Sequence, residues 1–491
     1  MKNKYIILAL TLLVSTAQAQ LTGWQTVTNF GSNPGALNMY SYAPSALPAN
    51  APLVVVMHGC TQTATQVATQ TGWNTMANRH GFYTVYPEQI SANNSSLCFN
   101  WFEPGDQAKN QGEALSIKQI IDYMRVHYSI DSTRIFVTGL SAGACMTNVM
   151  MACYPQLINA GAVMSGAAYK AASSSTTATS ALYGYVSNTP VQWGNYVRNE
   201  NPTYTGAYPK VAVFQGTGDF VVNYNNATEI VKQWTNVHAT DQTADDTVTS
   251  FAGNPYVTKK TYTNASNKSV VETYMISTFT HAIALDTGAC FMQCGATGTY
   301  AYDINFNSTY WAAYFFDILN YGNAITGLTS VTTNQTNVTY SITPHVGSTY
   351  VWETAPTAGI TNGQNTNSSV TVDFGTQSGY LQVTETDANG CVIGPLKIWV
   401  NVSSTPTTIL QHVAPQATMY YANDKQSISI TNLDYNRNNQ LLIATIDGKI
   451  LMHQRITTNE IYLPNNLTAG VYIVQLQQND KISTQKISVI K

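Results

Sequence analysis

Ser141 lies in Gly139-Leu140-Ser141-Ala142-Gly143, a G-x-S-x-G pattern. The residues before it, Arg134-Ile135-Phe136-Val137, are β-prone, and Ala144 to Cys153 has neither Pro nor Gly. Strand, sharp turn and helix is the context in which such a turn exposes a nucleophilic serine at the end of a sheet. Small residues two before and two after the serine allow the tight turn and the close approach of helix to strand. The first amides of the helix favour negative charge at that point. The competing reading is a Gly/Ser turn without chemistry, so the partners of the serine decide.

Acyl transfer through serine needs a base, a group to orient the base, and donors for an oxyanion. Where the serine sits on this kind of elbow, the acid and then the histidine follow it in the chain. Of eight histidines, His58, His80 and His127 precede Ser141, while His345, His412 and His453 lie far downstream in β-rich sequence. His238 ends a predicted helix, where a cation suits the dipole. His281 follows a strand and sits on a loop, and is preferred. Asp219 lies just past the strand-like run 211–216, at the carboxyl end where catalytic groups gather. Asp241, Asp245 and Asp246 are in a polar stretch and read as solvated. The oxyanion donors are expected to be the amide of Ala142 and one from the turn after 52–57, at Gly59 or Cys60.

The elements that must position these groups alternate. Pro52–Met57 and Phe82–Pro87 are short continuous apolar runs, as strands buried on both faces read. Helical spacing runs from Gln66 to Arg79. Gln111 to Val126 puts Ala114, Ile117, Ile120, Ile121 and Met124 on one face. Strands follow at 160–165, 211–216 and 270–276, with helices at 226–238 and 309–319; Ala171 to Ser187 reads as a surface excursion. This pattern predicts an α/β fold with a doubly wound, mostly parallel sheet. After about residue 325, Thr, Asn, Gly and Val dominate in short alternating runs, which predicts two small all-β sandwich modules. They are separated by a linker at Ser403–Thr407, and Asp447-Gly448 reads as a hairpin turn.

The chain of 491 residues is long enough for several domains, and only 10% of it is charged, with a net charge of −3. That excludes the basic face a nucleic-acid partner needs. Met1 to Lys4 is basic, Tyr5 to Val14 is apolar, and Ala17-Gln18-Ala19 is a small-x-small site: a secretory signal peptide over 1–19, too short to span a membrane. No other stretch is apolar enough for a membrane span. Export permits disulfides among the seven cysteines, whose pairing spacing alone does not give. No C-x-x-C pair or histidine cluster has zinc-like spacing, so no metal and no cofactor is expected.

The sequence resembles the poly(3-hydroxybutyrate) depolymerase family of esterases, which shades into secreted feruloyl and acetylxylan esterases. The resemblance is carried by Met57-His58-Gly59-Cys60-Thr61-Gln62, Cys98-Phe99-Asn100-Trp101-Phe102, Gln111-Gly112-Glu113-Ala114, Gly139–Ala144, Tyr204–Pro209, Gly216-Thr217-Gly218-Asp219 and Trp234–His238. It covers roughly residues 30–320 and implies an α/β-hydrolase with Ser141, Asp219 and His281 as its triad. It also implies the amides of Cys60 and Ala142 as the oxyanion pair, and a Cys60–Cys98 disulfide. Two features depart from it: Ala282 follows His281 where Gly is common, and Cys290-Phe291-Met292-Gln293-Cys294 is a candidate local bridge. Residues ~330–402 look like a PKD-type immunoglobulin-like module. The tail, with Leu467–Val474 and Lys486–Lys491, is similar to the C-terminal sorting domain of type IX secretion.

The expected organisation is a signal peptide (1–19), an esterase domain (20–325), a PKD-like sandwich (326–403), and a linker with a sorting domain (404–491). The expected protein is a secreted serine esterase acting on acetyl or feruloyl esters of a plant polysaccharide. Its partners are an ester-bearing polymer or oligosaccharide and, through the tail, the secretion machinery. Trp101, Phe102 and Trp193 are candidates for a substrate-facing aromatic wall, with core packing as the alternative. Two other readings compete: an extracellular poly(3-hydroxybutyrate) depolymerase, and an exported adhesin or carbohydrate-binding protein with an inert hydrolase domain.

Overall fold

A computed structural model describes residues 23–354, 359–360, 366–403, 418–422, 427–431, 439–445, 449–456, 458, 460–463, 468–478 and 481–489. The expected signal peptide, the linker from 404 on and the Asp447-Gly448 turn lie outside these residues. The chain divides into two compact units, Met1–Pro406 and Thr407–Lys491.

The first unit is built on a ten-stranded sheet. Its strands are β1 (Gly23–Val27), β2 (Asn38–Ala43), β3 (Ala51–Met57), β4 (Tyr83–Glu88), β5 (Ile130–Leu140), β6 (Ala160–Met164), β7 (Lys210–Gly216), β8 (Asp246–Val248), β9 (Val257–Thr263) and β10 (Ser269–Ile276). Their spatial order is β1-β2-β4-β3-β5-β6-β7-β10-β9-β8. The six from β4 to β10 pair in parallel, and antiparallel strands close both edges. Helices α1 (Ala64–Thr71), α2 (Trp73–His80), α3 (Gly112–His127), α4 (Ala142–Cys153), α5 (Ser175–Leu182), α6 (Pro190–Glu200), α7 (Asn225–Val237) and α8 (Ser308–Phe315) complete the layer structure.

The continuous apolar strands are explained by two separate cores. Leu53, Val55 and Met57 of β3 pack with α3, α4 and α7 on one face, while Val54 and Val56 pack with α1, α2 and α8 on the other. The whole of β3 is buried. Ala114, Ile117, Ile120, Ile121 and Met124 of α3 are all fully buried, as their spacing requires. The helical run after residue 66 is two helices rather than one. Gly72 adopts φ 72° between them, and a side chain there would come within 2.9 Å of the Cys294 Cβ. The connections from β3 to β4 and from β5 to β6 leave in opposite directions. The crevice at the carboxyl ends of β3 and β5 is therefore the switch point where such sheets hold ligands.

Two short strands, β11 (Ile283–Leu285) and β12 (Ala301–Asp303), follow the sheet. Next come β13 (Ser330–Thr332), β14 (Val338–Ser341), β15 (Thr349–Glu353), β16 (Gly359–Ile360), β17 (Ser369–Asp373), β18 (Gly379–Thr386) and β19 (Val392–Ser403), in sheets ordered β13-β19-β18-β15 and β14-β17-β16. Tyr340, Trp352, Val370, Val372, Val383 and Val400 fill the space between them. Period-two burial along β17 and β18 is what a two-layer sandwich produces.

This small sandwich is fastened to the hydrolase part. Cys290 and Cys391 form a disulfide across 101 residues. Lys397 Nζ lies 2.5 Å from Asp317 Oδ1, and its ammonium stands 4.1 Å from the centre of the Tyr314 ring. The Tyr310 hydroxyl donates to the Gly394 carbonyl, and that of Tyr314 to Gln382 at 2.5 Å. Asp317 also pairs with Lys210, the first residue of β7. The sandwich thus grips the amino-terminal side of the sheet, away from the strand ends that carry the elbow.

The expected local bridge between Cys290 and Cys294 does not form. The Gln293 amide donates to the Cys290 carbonyl in a tight turn, and Cys294 pairs its backbone with Asp286. That turns the Cys294 thiol inward, toward the Thr71 carbonyl, while Cys290 reaches Cys391.

The second unit has sheets β20-β21-β24 and β23-β22-β25-β26, formed by β20 (Thr418–Ala422), β21 (Ser427–Thr431), β22 (Asn439–Thr445), β23 (Ile450–Arg455), β24 (Glu460–Tyr462), β25 (Gly470–Gln478) and β26 (Lys481–Val489). Ile428, Leu441, Ile443, Val474 and Leu476 form its core. Among the described residues, no helix is long and apolar enough to cross a membrane.

Candidate active site

Ser141 joins β5 to α4 with φ 57° and ψ −119°, a conformation L-residues avoid. Two glycines make the turn possible. A side chain at Gly139 would fall 2.7 Å from the Met57 carbonyl oxygen, and one at Gly143 would fall 2.6 Å from that of His58. Elbow and β3 turn therefore pack backbone against backbone. An added Cβ at Gly59 would sit 3.4 Å from the Ser141 Cβ, so the two turns face each other across the switch point.

The β3 turn is held by its own side chains. His58 is buried; its Nδ1 donates to the Gly59 carbonyl at 2.7 Å, and its Nε2 accepts from the Gln89 amide at 3.0 Å. Accepting a backbone N–H requires a neutral ring, and burial pushes the His58 pKa down. The amide of Gly59 donates to Gln62 Oε1 at 2.8 Å, that of Thr61 to the Ser96 carbonyl at 2.7 Å, and that of Gln62 to the Gly59 carbonyl at 3.3 Å. The amides of Gly59, Thr61 and Gln62 are thus taken up within the turn, and among the described residues no such partner takes up the Cys60 amide. Cys60 is cross-linked to Cys98. The Cys98 loop is in turn underpinned by Glu113, which accepts from the Asn100 amide at 2.8 Å and from Gln89 Nε2 at 2.5 Å.

His281 Nδ1 lies 2.8 Å from Asp219 Oδ2, and both residues are buried. A carboxylate can only accept here, so Nδ1 carries a proton, and in the neutral ring Nε2 holds the lone pair. The other oxygen, Asp219 Oδ1, accepts from the Val221 and Val222 amides at 2.9 and 2.8 Å. Gln215 Nε2 approaches Oδ2 at 3.3 Å. Burial acts to raise the Asp219 carboxyl, but the His281 bond and charge, the Val222 amide and the Ser165 hydroxyl outweigh it and hold it below the usual range. The two loops lock together: the Gly218 amide donates to the Phe279 carbonyl at 3.0 Å and the Thr278 amide to Thr217 Oγ1 at 2.9 Å.

The remaining sequence candidates separate. His238 bonds the Pro209 carbonyl at 2.9 Å beyond the end of α7. Trp193 does not face substrate. It is fully buried between α6 and α7, with Nε1 donating to Glu229 at 2.6 Å, because its position on α6 points inward. Trp101 is 4% exposed and packs in the core, so of the aromatic candidates only Phe102, partly buried against it, retains some surface.

Two residues at the site went unread in the sequence. Ser165, at φ 54° just past β6, has its hydroxyl close enough to Asp219 to help hold the carboxyl down; a serine at a strand end was its only signal. Tyr300 presents its edge to the His281 ring at 6.5 Å, with its hydroxyl 3.4 Å from Thr61 Oγ1. It spans from the base to the β3 turn, but follows His281 by a loop that carries no sequence signature. The buried thiols of Cys145 and Cys294 are pushed up to about 12 by burial, and so are not nucleophiles.

The family model "Esterase PHB depolymerase" matches residues 37–254, and a PKD-like domain model matches residues 320–396. The chain is 44% identical over 319 residues to poly(3-hydroxyalkanoate) depolymerase C of Paucimonas lemoignei, covering 65% of this chain and 75% of that one. It is 33% identical over 300 residues to feruloyl esterase B of Talaromyces stipitatus, covering 60% and 80%. It is 34% identical over 251 residues to an acetylxylan esterase of Coprinopsis cinerea, covering 50% and 65%. Among solved structures, an acetyl xylan esterase from Aspergillus awamori aligns at 28% identity and TM-score 0.49, covering 53% of this chain and 94% of that one. By the depolymerase match, with which the family model agrees, the chain, a carboxylic ester hydrolase, belongs to the esterase PHB depolymerase family.

Proposed function

We propose that Ser141, His281 and Asp219 form a charge-ordered triad and that the protein hydrolyses a poly(3-hydroxyalkanoate) outside the cell. The observation that carries the triad is the 2.8 Å bond from His281 Nδ1 to a buried carboxylate, at the same sheet edge as a serine on a strained elbow. His281 Nε2 takes the Ser141 proton as Oγ attacks the ester carbonyl. The Cys60 and Ala142 amides hold the oxyanion, each worth about 3–4 kcal/mol by analogy with a measured donor. The imidazolium returns its proton to the leaving alcohol, and a water activated by the same nitrogen releases the acyl group. Asp219 fixes the tautomer, with Ser165 steadying it.

The polyester reading rests on the higher identity to the depolymerase, 44% against 33% and 34% for the feruloyl and acetylxylan esterases. It reverses the order in which the motifs alone rank the substrates. Plant-polysaccharide esters remain the second reading because those esterases match the same part of the chain. Two disulfides support export. Within the same proposal, the Thr407–Lys491 unit is a secretion sorting domain removed on export, and a mature protein still carrying it would contradict this.

Product release from a poly(3-hydroxybutyrate) film, acetylated xylan and feruloylated arabinoxylan, wild type beside Ser141→Ala, tests the reading. Hydroxyacid release from the film that vanishes in the variant is expected. Release confined to acetate or ferulate would make the protein a polysaccharide esterase. Equal release by Ser141→Ala would reject the triad.

A further inference from the structure

We infer that an uncharged aromatic face beside Asp219 is the surface by which the hydrolase part adsorbs to an insoluble aliphatic polyester. The inference rests on the polyester reading above.

The residue after Asp219 is Phe220, 87% exposed, followed by Val221, half exposed, whose amide holds Asp219 Oδ1. A phenyl ring left in water one residue from a buried carboxylate has no packing role. Tyr185 is 80% exposed and Tyr183 about half, their rings 6.1 Å apart. Tyr224 is exposed as well. The two segments are built as one surface: the Asn223 amide donates to the Leu182 carbonyl at 2.8 Å, and Asn226 Nδ2 to the same oxygen at 3.1 Å. A side chain at Gly184 would meet the Asn223 side chain at 2.9 Å, so the two segments are in close contact. The platform is firm, because α5 opens with a reciprocal Ser174–Thr177 capping box.

The chemistry of this face selects its occupant. From Ala171 through Val197, and again from Phe220 through Thr228, the sequence has no Asp, Glu, Lys, Arg or His. The next charges along the chain, Glu229 and Lys232, neutralise each other at 2.7 Å at the margin of the face, held on Trp193 and Ser187. Monomeric proteins rarely leave several large apolar side chains together in water unless that surface binds something. A sugar platform combines rings with carboxylates that bind hydroxyls; here the exposed residues include Phe220, Val221, Tyr183, Tyr185, Tyr224 and the amide Asn225, with no carboxylate among them. A neutral, hydroxyl-free chain of ester and alkyl groups matches it. The face adjoins the loop that carries Asp219, so polymer held on it lies on the hydrolase part that bears the triad.

The test is adsorption of the full chain carrying Ser141→Ala, which prevents erosion, to poly(3-hydroxybutyrate) particles and to xylan. Tyr183→Ser/Tyr185→Ser and Phe220→Ser are compared with the unmodified face. The same surface variants with Ser141 intact are assayed on soluble p-nitrophenyl butyrate, which also reports folding. At least a tenfold loss of polyester adsorption, with soluble turnover within twofold of wild type, is expected. Unchanged adsorption in both variants overturns the inference, as does loss of xylan binding alone, or a change only in self-association. Tight, face-dependent adsorption without hydroxyacid release by wild type would sink the polyester hydrolysis reading and leave the surface standing. Film erosion by wild type with unaltered erosion in both variants would sink the surface and leave that reading standing.

Discussion

Replacing Asp219 by Asn removes one charge but keeps the shape, and the hydrogen bonds dictate which way the amide turns. Oδ1 accepts two backbone N–H groups, from Val221 and Val222, at 2.9 and 2.8 Å. An NH2 there would leave both donors unsatisfied, at about 1–3 kcal/mol each. Oδ2 meets His281 Nδ1 at 2.8 Å and Gln215 Nε2 at 3.3 Å. The imidazole can move its proton to Nε2, which costs little, and the Gln215 contact is long. The NH2 therefore turns to His281, Nδ1 becomes an acceptor, and Nε2 no longer has a lone pair for the Ser141 proton. The expected loss in kcat is about 10⁴-fold, as for a wrong tautomer in another triad, or about 5.5 kcal/mol of transition-state stabilisation. KM should be nearly unchanged. Steady-state hydrolysis of p-nitrophenyl butyrate reads both, with the urea midpoint confirming the fold. Retention of more than about a tenth of wild-type kcat would refute the assignment of Asp219 as the group that sets the tautomer.

Three further outcomes follow from named contacts. Ser141→Gly should be more stable than Ser141→Ala by about 1–3 kcal/mol, because glycine adopts φ 57°, ψ −119° without strain; equal urea midpoints would show that no strain is stored there. Cys391→Ser opens a cross-link spanning 101 residues, which costs about 4–5 kcal/mol in the chain-entropy account. Its thermal midpoint should fall while soluble-ester turnover at 25 °C persists, and melting together with wild type would contradict that. Burial, with the Asp106 charge adding, pushes the Glu113 carboxyl up to about 8 from an ordinary 4.5. Between those values the folded state holds a proton the unfolded chain has lost, so stability falls as pH rises, by about 3 kcal/mol at pH 7. Urea midpoints from pH 5 to 8 should decline more steeply for wild type than for Glu113→Gln, and parallel slopes would count against it.

Burial on both faces and one-sided helix faces leave periodic traces that any short window carries. That is why β3, the end of β5 and the apolar face of α3 are legible from residues alone. The same windows mislead where one residue breaks a period. The run from 66 to 79 reads as one helix because Gly72 is a single residue in a helical pattern, and only its contact with Gly295 explains the break. Trp193 reads as a wall residue because composition cannot say which side of α6 meets α7. The short edge strand β8, exposed throughout, has no apolar signal to read.

Neighbouring residues alone carry the chemistry on offer: a serine between glycines at the end of a buried strand, an acid past a later strand, and a histidine beyond that. Each is a local statement, because elbow, strand end and loop are built from neighbours in the chain. Which of these groups meet depends on how distant segments pack. Asp219 and His281 are 62 residues apart, and the Ser165 whose hydroxyl helps hold the acid down follows a different strand. Tyr300 reaches Thr61 across 239 residues, and Cys290 pairs with Cys391 rather than with Cys294. Contacts at such separations leave no period in the sequence. They arise when a parallel sheet brings the ends of non-adjacent segments to one edge and packing turns each side chain inward or out.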